Sequence, residues 1–340
     1  MTDRVLIVGC GSIGSRHYSW VRKLLPNADI RVACRSPHNN LFDKEIRPLL
    51  TVEECLNYTP TLAIIANAAS HHMQFAIPLA INGADIFVEK PISTSMPDTI
   101  KLIEICKNKK LKLAVGYNLR YLPSLLAFKS FIDKKIIGNI FSIRTEVGQY
   151  LPSWRRGGDY SKSVSAQKKL GGGALFELSH ELDYMSWIFG PTQSLQGMYQ
   201  KTSNLDIDVE DMVEVTMLIC SMLQNNSIIA SIHLDLLRSD TTRSCTVIGE
   251  EGTLKWDGIK GVVNLHKRGE SESRAIYMED EAIENTYISE LNDFLSSERP
   301  LLLKPLASGY DGLYVLRTIE AIRLSNLTGK RVILTNDFSG

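Results

Sequence analysis

Glycines 9, 11 and 14 stand as G-x-G-x-x-G in "RVLIVGCGSIGSRH", between an apolar run and a run with helical spacing. That arrangement suits a dinucleotide. One glycine permits a tight turn, the next lets backbone approach a pyrophosphate, and the third lets helix and strand pack closely. The helix N-terminus, opening at Ser12 and Ile13, offers free N–H groups to the phosphate charge. Glycine clusters often mark ordinary turns, but this one ends the first strand of a strand–helix series, the context the motif requires. The second strand ends in "ACRS". NAD enzymes usually carry Asp or Glu there for the ribose 2′-hydroxyl. Cys34, Arg35 and Ser36 bring no carboxylate. Arg35 and Ser36 could bind a 2′-phosphate instead, through charge-assisted hydrogen bonds, so NADP is favoured over NAD. The other reading of Arg35 is a solvated loop residue.

Two further stretches could do chemistry. "FVEKPIS" sets Glu89, Lys90 and Pro91 at the carboxyl end of an apolar strand. Ligands of open α/β sheets bind beyond such ends, so Lys90 is placed to face the cofactor crevice; alone, it would read as a surface lysine. "GGGALFELSHELDY", 171–184, leads three glycines into one expected helix. Leu178, Leu182, Met185 and Phe189 form its apolar stripe. Glu177, His180 and Asp183 are three apart, on a neighbouring stripe. His180 is either a satisfied core histidine or an acid–base group, since an unperturbed imidazole titrates near neutrality. The glycines would let backbone come close to substrate or nicotinamide. Before them, "YLPSWRRGGDYSKS" has no clear period and reads as a long loop, commonly functional or disordered in compact domains. Trp154 and Tyr160 could stack on a sugar ring or a base, Arg155 and Arg156 could pair with a phosphate or carboxylate, and Asp159 could accept hydrogen bonds from hydroxyls. Such a loop is a lid over an anionic sugar or a solvated surface segment.

The elements that must hold these residues follow from periodicity. "RVLIV", "ADIRVA", "TLAIIA", "ADIFVE" and "KLAVG" are short apolar runs separated by helical spacing over about 12–25, 70–82 and "DTIKLIEICKNKK". Strands alternating with helices mean βαβ units and a parallel sheet with helices on both faces. After about Tyr121 the rhythm changes. A helix near 125–134, the strand "NIFSIRTEVGQY" and the 171–184 helix precede "VEVTMLICSML", "SIIASIHLDLL", the "CTVIGEEGTLKW" hairpin and "GVVNLHKRG". "YISELNDFL" and "SGYDGLYVLRTIEAIRLSNLTGK" return to helix. The expected fold is α/β: a Rossmann parallel-sheet domain over 1–120, then an α+β domain over 121–340 with a large, mostly antiparallel open sheet. The C-terminal helix is free to return to the first domain.

Bulk properties exclude several partners. Lys+Arg and Asp+Glu are both 38 in 340 residues, a balance that points away from nucleic acid and anionic membranes. No apolar run approaches the ~18 residues of a membrane span, and the N-terminus lacks the pattern of a secretory leader. The six cysteines are scattered, with no C-x-x-C and no zinc spacing. Free thiols in a reducing cytoplasm are expected, and no metal.

"GCGSIGSRH", "AIIANAASHH", "VEKPIS", "GYNLRYLP", "GGGALFELSHELD" and "SNLTGKRVIL" together resemble the Gfo/Idh/MocA family of NAD(P)-dependent oxidoreductases over nearly the whole chain. The resemblance implies hydride transfer between nicotinamide and a secondary alcohol or ketone of a sugar. It matches Lys90 to the lysine that contacts the reacting hydroxyl, and Glu89 to the residue before it. Asn67 and His72 then lie beside the cofactor. Tyr117, Asn118 and Arg120 match the family's G-Y-N-x-R, giving Asn118 and Arg120 cofactor roles. His180 matches the catalytic histidine. The usual motif has Asp four residues earlier; here Phe176 holds that place and Glu177 follows, so Glu177 takes the role or the role has moved. Asp183 joins the expected substrate ligands. The resemblance further implies a homodimer or homotetramer joined through the open sheet, and leans towards a nucleotide-activated or acidic sugar of glycan biosynthesis. A dinucleotide-binding regulator without turnover, or an enzyme oxidising its substrate only transiently, are the alternatives.

Overall fold

The computed structural model describes residues 3–34, 49–154, 159–279, 283–296 and 305–334. The chain divides into two units, Met1–Asn118 with Tyr287–Leu316, and Leu119–Thr286 with Arg317–Gly340. The chain passes from the first unit to the second after Asn118, and Tyr287–Leu316 group with the first.

The first unit opens with β1 (Arg4–Val8), α1 (Ser12–Leu24), β2 (Asp29–Ala33), α2 (Val52–Asn57), β3 (Leu62–Ile65), α3 (His72–Ile81), β4 (Asp85–Glu89), α4 (Met96–Lys109) and β5 (Leu113–Gly116). These five strands are parallel, in the order 5-4-3-1-2. Val5–Val8 and all of β3, β4 and β5 are buried, as strands covered on both faces must be. The helices start on local signals. Thr51 and Glu54 form a reciprocal capping box for α2, and the Ser95 side chain accepts the Asp98 N–H at the start of α4. The chain leaves β1 for β2 on one side and crosses back to β3 on the other. The β1/β3 boundary is therefore the switch point, where open α/β sheets bind ligands beyond the strand ends.

The second unit begins with α5 (Pro123–Asp133), β6 (Ile140–Gly148), α6 (Leu151–Trp154), α7 (Ala174–Glu177) and α8 (His180–Phe189). Then come β7 (Thr192–Gln200), β8 (Met212–Ile219), β9 (Ile228–Asp235), β10 (Thr242–Gly249), β11 (Gly252–Asp257), β12 (Val262–Lys267) and β13 (Arg274–Met278). α9 (Ile283–Ser296) leads back into the first unit, where β14 (Ala307–Ser308) pairs antiparallel with β5. α10 (Gly309–Thr328) ends in the second unit, followed by β15 (Val332–Ile333). The second sheet has nine strands in the order 13-12-11-10-6-9-8-7-15, antiparallel except for β6 with β9. Its inner face (Ile143, Thr145, Ile232, Val215, Val247, Trp256) is buried. Helices cover it: the Trp256 indole donates to Ser124 of α5 at 2.8 Å, and the Tyr184 hydroxyl of α8 bonds Thr145 of β6.

Candidate active site

The glycine turn lies at the switch point, and its glycines have separate tasks. Gly9 holds φ +112°, and a Cβ there would lie 2.5 Å from the Ala66 carbonyl oxygen, just past β3. A Cβ on Gly14 would lie 2.1 Å from the Gly9 carbonyl oxygen. Both are required by the protein's own packing. Gly11 has nothing within 4 Å of a Cβ position, so the space over it is open. It caps α1 without a side-chain hydrogen bond, the first turn holds no acid, and Ser12 is exposed. An uncapped helix N-terminus with open space above it fits a pyrophosphate. Asn67 adds a second mark: its Oδ1 is shielded from solvent with no partner among the described residues, while Nδ2 donates to the His71 carbonyl at 3.4 Å. An unpaired shielded amide oxygen beside such a cradle calls for a donor from a ligand or water. Arg35 and Ser36 lie outside the described residues.

Two other expected cofactor ligands turn inwards. His72 is buried, with Nδ1 3.2 Å from the Ile92 carbonyl and Nε2 3.1 Å from the Asn67 carbonyl. Burial holds its pKa below the usual imidazole value, against these hydrogen bonds. Its ring ties the turn after β3 to the turn after β4, so it positions Asn67 and its neighbours. Glu89 is also buried. One carboxylate oxygen bonds His17 Nε2 at 2.7 Å, and the other accepts the Lys90 N–H at 3.3 Å. The carboxylate lies against Gly116, where a Cβ would be 3.1 Å away. Lys90 follows directly, half-buried beyond the strand end. Asn118 is buried, at the start of a 3-10 turn over Asn118–Tyr121.

In the second unit the expected helix over 171–184 is broken. α7 ends at Glu177 and α8 starts at His180, with Leu178 and Ser179 between. Glu177 and His180 are therefore not on one helical stripe; each is half-buried, and His180 opens α8. Two of the three glycines are required by the protein's own packing. A Cβ on Gly172 would sit 2.3 Å from the Val164 carbonyl oxygen, and one on Gly173, at φ +104°, 2.4 Å from a Glu210 carboxylate oxygen. Glu210 in turn accepts the Leu175 N–H at 3.0 Å and so caps α7; burial pushes its carboxyl pKa up.

Arg120 and Asp183, expected on cofactor and substrate respectively, are paired with each other inside the second unit. Asp183 accepts from Arg120 Nε at 2.9 Å and from a terminal nitrogen at 2.7 Å. Both are buried, with the guanidinium 5.4 Å from the Trp187 ring centroid. These two side chains hold the 118–121 turn to α8. Next to Asp183, buried Glu181 accepts from Arg243 Nε at 2.8 Å.

The expected loop before α7 is a series of short turns, α6 and then 3-10 turns over 160–162, 164–166 and 168–170. Asp159 caps the first: its Oδ1 accepts from the Ser161 N–H at 3.1 Å and hydroxyl at 2.7 Å, and these bonds with Lys162 lower its pKa. The Tyr160 hydroxyl accepts the Asp206 N–H at 3.1 Å, and Trp154 is half-buried. Arg155 and Arg156 lie outside the described residues. His17, to which the sequence reading gave no role, is the residue it missed. Its signal was a histidine on the buried face of α1, three places after Gly14.

Residues 4–117 match the NAD-binding Rossmann fold of the Gfo/Idh/MocA oxidoreductases, and 129–334 match the C-terminal alpha/beta domain of the same proteins. An oxidoreductase of Synechocystis sp. is 28% identical over 146 residues, 42% of this chain and 38% of its own length. The inositol 2-dehydrogenase/D-chiro-inositol 3-dehydrogenase of Lactiplantibacillus plantarum is 24% identical over 343 residues, 94% of this chain and 89% of its own. Among solved structures, the WlbA dehydrogenase of Bordetella pertussis in complex with NADH and UDP-GlcNAcA superposes with a TM-score of 0.79 at 21% identity, over 99% of this chain and 100% of that one. That likeness speaks for the fold. Among the described residues no helix is long and apolar enough to cross a membrane, and no cluster of His, Cys, Asp and Glu could hold a metal ion.

Proposed function

Because the chain belongs to the Gfo/Idh/MocA family of NAD-binding oxidoreductases, we propose that it transfers a hydride between nicotinamide and a secondary alcohol or ketone carbon of a nucleotide-activated or acidic sugar. The observation carrying this is the open cradle over Gly11 at the β1/β3 switch point, with Lys90 at the end of β4 in the same unit. The bound dinucleotide supplies the hydride chemistry. Lys90 Nζ donates to the substrate oxygen and stabilises its developing charge. His180 exchanges that oxygen's proton, and Glu177 orients it. Support for an anionic sugar comes from Arg155 and Arg156 and from the UDP-GlcNAcA bound by the Bordetella protein.

NADP is the favoured cofactor on the strength of Arg35 and Ser36 and the missing acid after β2; the solved relative carries NADH. Cys55, Cys106, Cys220 and Cys245 are free thiols, in keeping with a cytoplasmic enzyme. The outer face of the nine-stranded sheet joins copies into a homodimer or homotetramer.

The test is absorbance at the nicotinamide band with NAD(H) and NADP(H), over UDP-GlcNAcA, free uronic acids, inositol and levoglucosan. Turnover confined to the acidic or nucleotide-linked sugars supports the proposal. Equal turnover of neutral sugars overturns the anionic substrate. Dinucleotide binding with no chemistry on any of them favours a regulator. Product formed without matching release of free reduced cofactor favours transient oxidation.

A further inference from the structure

The helix that bears the cradle is tied by one side chain to the strand end that bears Lys90. His17 lies in α1, five residues after Ser12, and is 1% exposed. Its Nε2 meets Glu89 Oε1 at 2.7 Å, while Glu89 Oε2 accepts the Lys90 N–H at 3.3 Å. The other ring nitrogen, Nδ1, is buried without a hydrogen-bond partner among the described residues. A proton on Nδ1 would be a buried donor with no acceptor, so the proton sits on Nε2 and is donated to the carboxylate.

The ring is fixed on its sides as well. Trp20 meets it edge-on at 5.2 Å and Phe87 of β4 at 5.5 Å, and Trp20 stacks on Tyr287 at 4.9 Å. Gly116, register partner of Glu89, leaves the carboxylate only the space a side chain would fill. Glu89 thus has one place to sit, and it holds the backbone N–H of Lys90 from there.

We propose that His17, acting through Glu89, is a positioning residue that sets Lys90 relative to the bound dinucleotide. The phosphate end of the site and the proposed reacting end would then be registered by a rigid His–Glu link. Hydride transfer needs such registration, because a misplacement of about 1 Å can lower turnover by roughly 10²-fold. The proposal rests on the functional reading above only in taking Lys90 to face the cofactor.

The experiment reads the position of Lys90 without requiring turnover. Full-length wild type, His17→Leu and His17→Gln are acetylated with an amine-reactive ester, with and without saturating NADH or NADPH, whichever wild type binds more tightly. Acetylation of Lys90 is followed by peptide mass spectrometry, with Lys129 of the second unit as internal reference. In wild type the dinucleotide should slow labelling of Lys90 several-fold. His17→Leu removes the donor: it should bind the dinucleotide with unchanged affinity yet lose most of that protection, and His17→Gln, whose amide can still donate to Glu89, should regain it. If His17→Leu does not fold, Glu89→Gln, which keeps volume and an acceptor for Lys90, takes its place and should weaken the protection. A purely structural role predicts a lower melting temperature with protection intact, and that result overturns the proposal. So does a wild type whose Lys90 is not protected. Failure of wild type to bind either dinucleotide would instead refute the functional reading, and the proposal with it.

Discussion

Arg120 and Asp183 form a bidentate ion pair with both side chains 2% exposed. The pair fastens the 118–121 turn to the helix that His180 opens. Its geometry matches the planar guanidinium fork, which lysine cannot reproduce. Removing one partner leaves a buried charge uncompensated, at a cost of about 3–5 kcal/mol. Arg120→Met should therefore lower unfolding stability by about that much in urea titrations, with Arg120→Lys recovering only part. A loss near that of an ordinary surface substitution would contradict the assignment.

Gly9 and Gly11 should separate folding from binding. Gly9→Ala puts a methyl on a φ of +112°, 2.5 Å from the Ala66 carbonyl oxygen, so both stability and dinucleotide affinity should fall. Gly11→Ala meets no atom and has an ordinary φ of −72°, so the melting temperature should hold or rise slightly. Its methyl would occupy the space left for the pyrophosphate, so NADH and NADPH affinity should fall. Thermal unfolding and nucleotide fluorescence titration read the two effects. A Gly11→Ala variant with normal affinity would place the phosphates elsewhere.

The first unit was more legible in the sequence than the second, for physical reasons. Runs such as "VLIV" and "AIIA" are buried on both faces, so each strand is announced by continuous apolar residues. β7, "TQSLQGMYQ", was missed because three of its exposed positions are glutamines and its inward ones include Gly197, which makes room for Ile322 of α10. The break at Leu178–Ser179 was invisible because helical spacing runs through it. What fixes the start of α7 is tertiary: Glu210 and the Val164–Ser165 backbone occupy the space around Gly172 and Gly173, and Glu210 accepts the Leu175 N–H. Among site residues, G-x-G-x-x-G was readable because its geometry is local. The engagement of Glu89 with His17, and of Arg120 with Asp183, joins residues far apart in the chain. A single sequence marks neither.

The outer face of the second sheet predicts a pH signature. His233 Nδ1 lies 2.5 Å from Glu214 and Nε2 3.0 Å from Asp235. Asp235 also binds Arg238, which reaches Glu146. The hydrogen bond to Asp235, then the one to Glu214, raise the His233 pKa above 6.5, against partial burial. For Asp235, burial opposes ionisation, but bonds from His233, the Leu237 and Arg238 N–H groups and the Arg238 side chain outweigh it and lower the pKa. A histidine raised on folding contributes stability that is full below its unfolded pKa and is lost as pH rises through the folded value. The stability difference between wild type and His233→Gln should therefore be largest just below pH ~6.5 and shrink towards alkaline pH. Asp235 behaves oppositely, its contribution being lost as pH falls through its lowered folded pKa. Urea midpoints across pH 5 to 9 for both proteins measure the difference. One that grows with pH would reverse the assignment.

The same face carries apolar side chains that no element covers among the described residues. Ile229 of β9 is 61% exposed, Met198 of β7 68% and Ile248 of β10 40%. The register places all three on the face of Ser231 and His233, opposite the buried Ala230 and Ile232. They are interleaved with Thr216, Ser231 and the ion-paired cluster, a mixture closer to an interface than to a core. A two-fold contact brings such a face against itself, so each apolar side chain meets apolar and neutral groups on the second copy. Light scattering at micromolar concentration should thus give a dimer or tetramer. Ile229→Glu combined with Met198→Lys should shift the mass towards a single chain while circular dichroism stays native, since both side chains already face solvent within one chain. A monomeric wild type, or a double variant with unchanged mass, would show that the copies do not meet through this sheet.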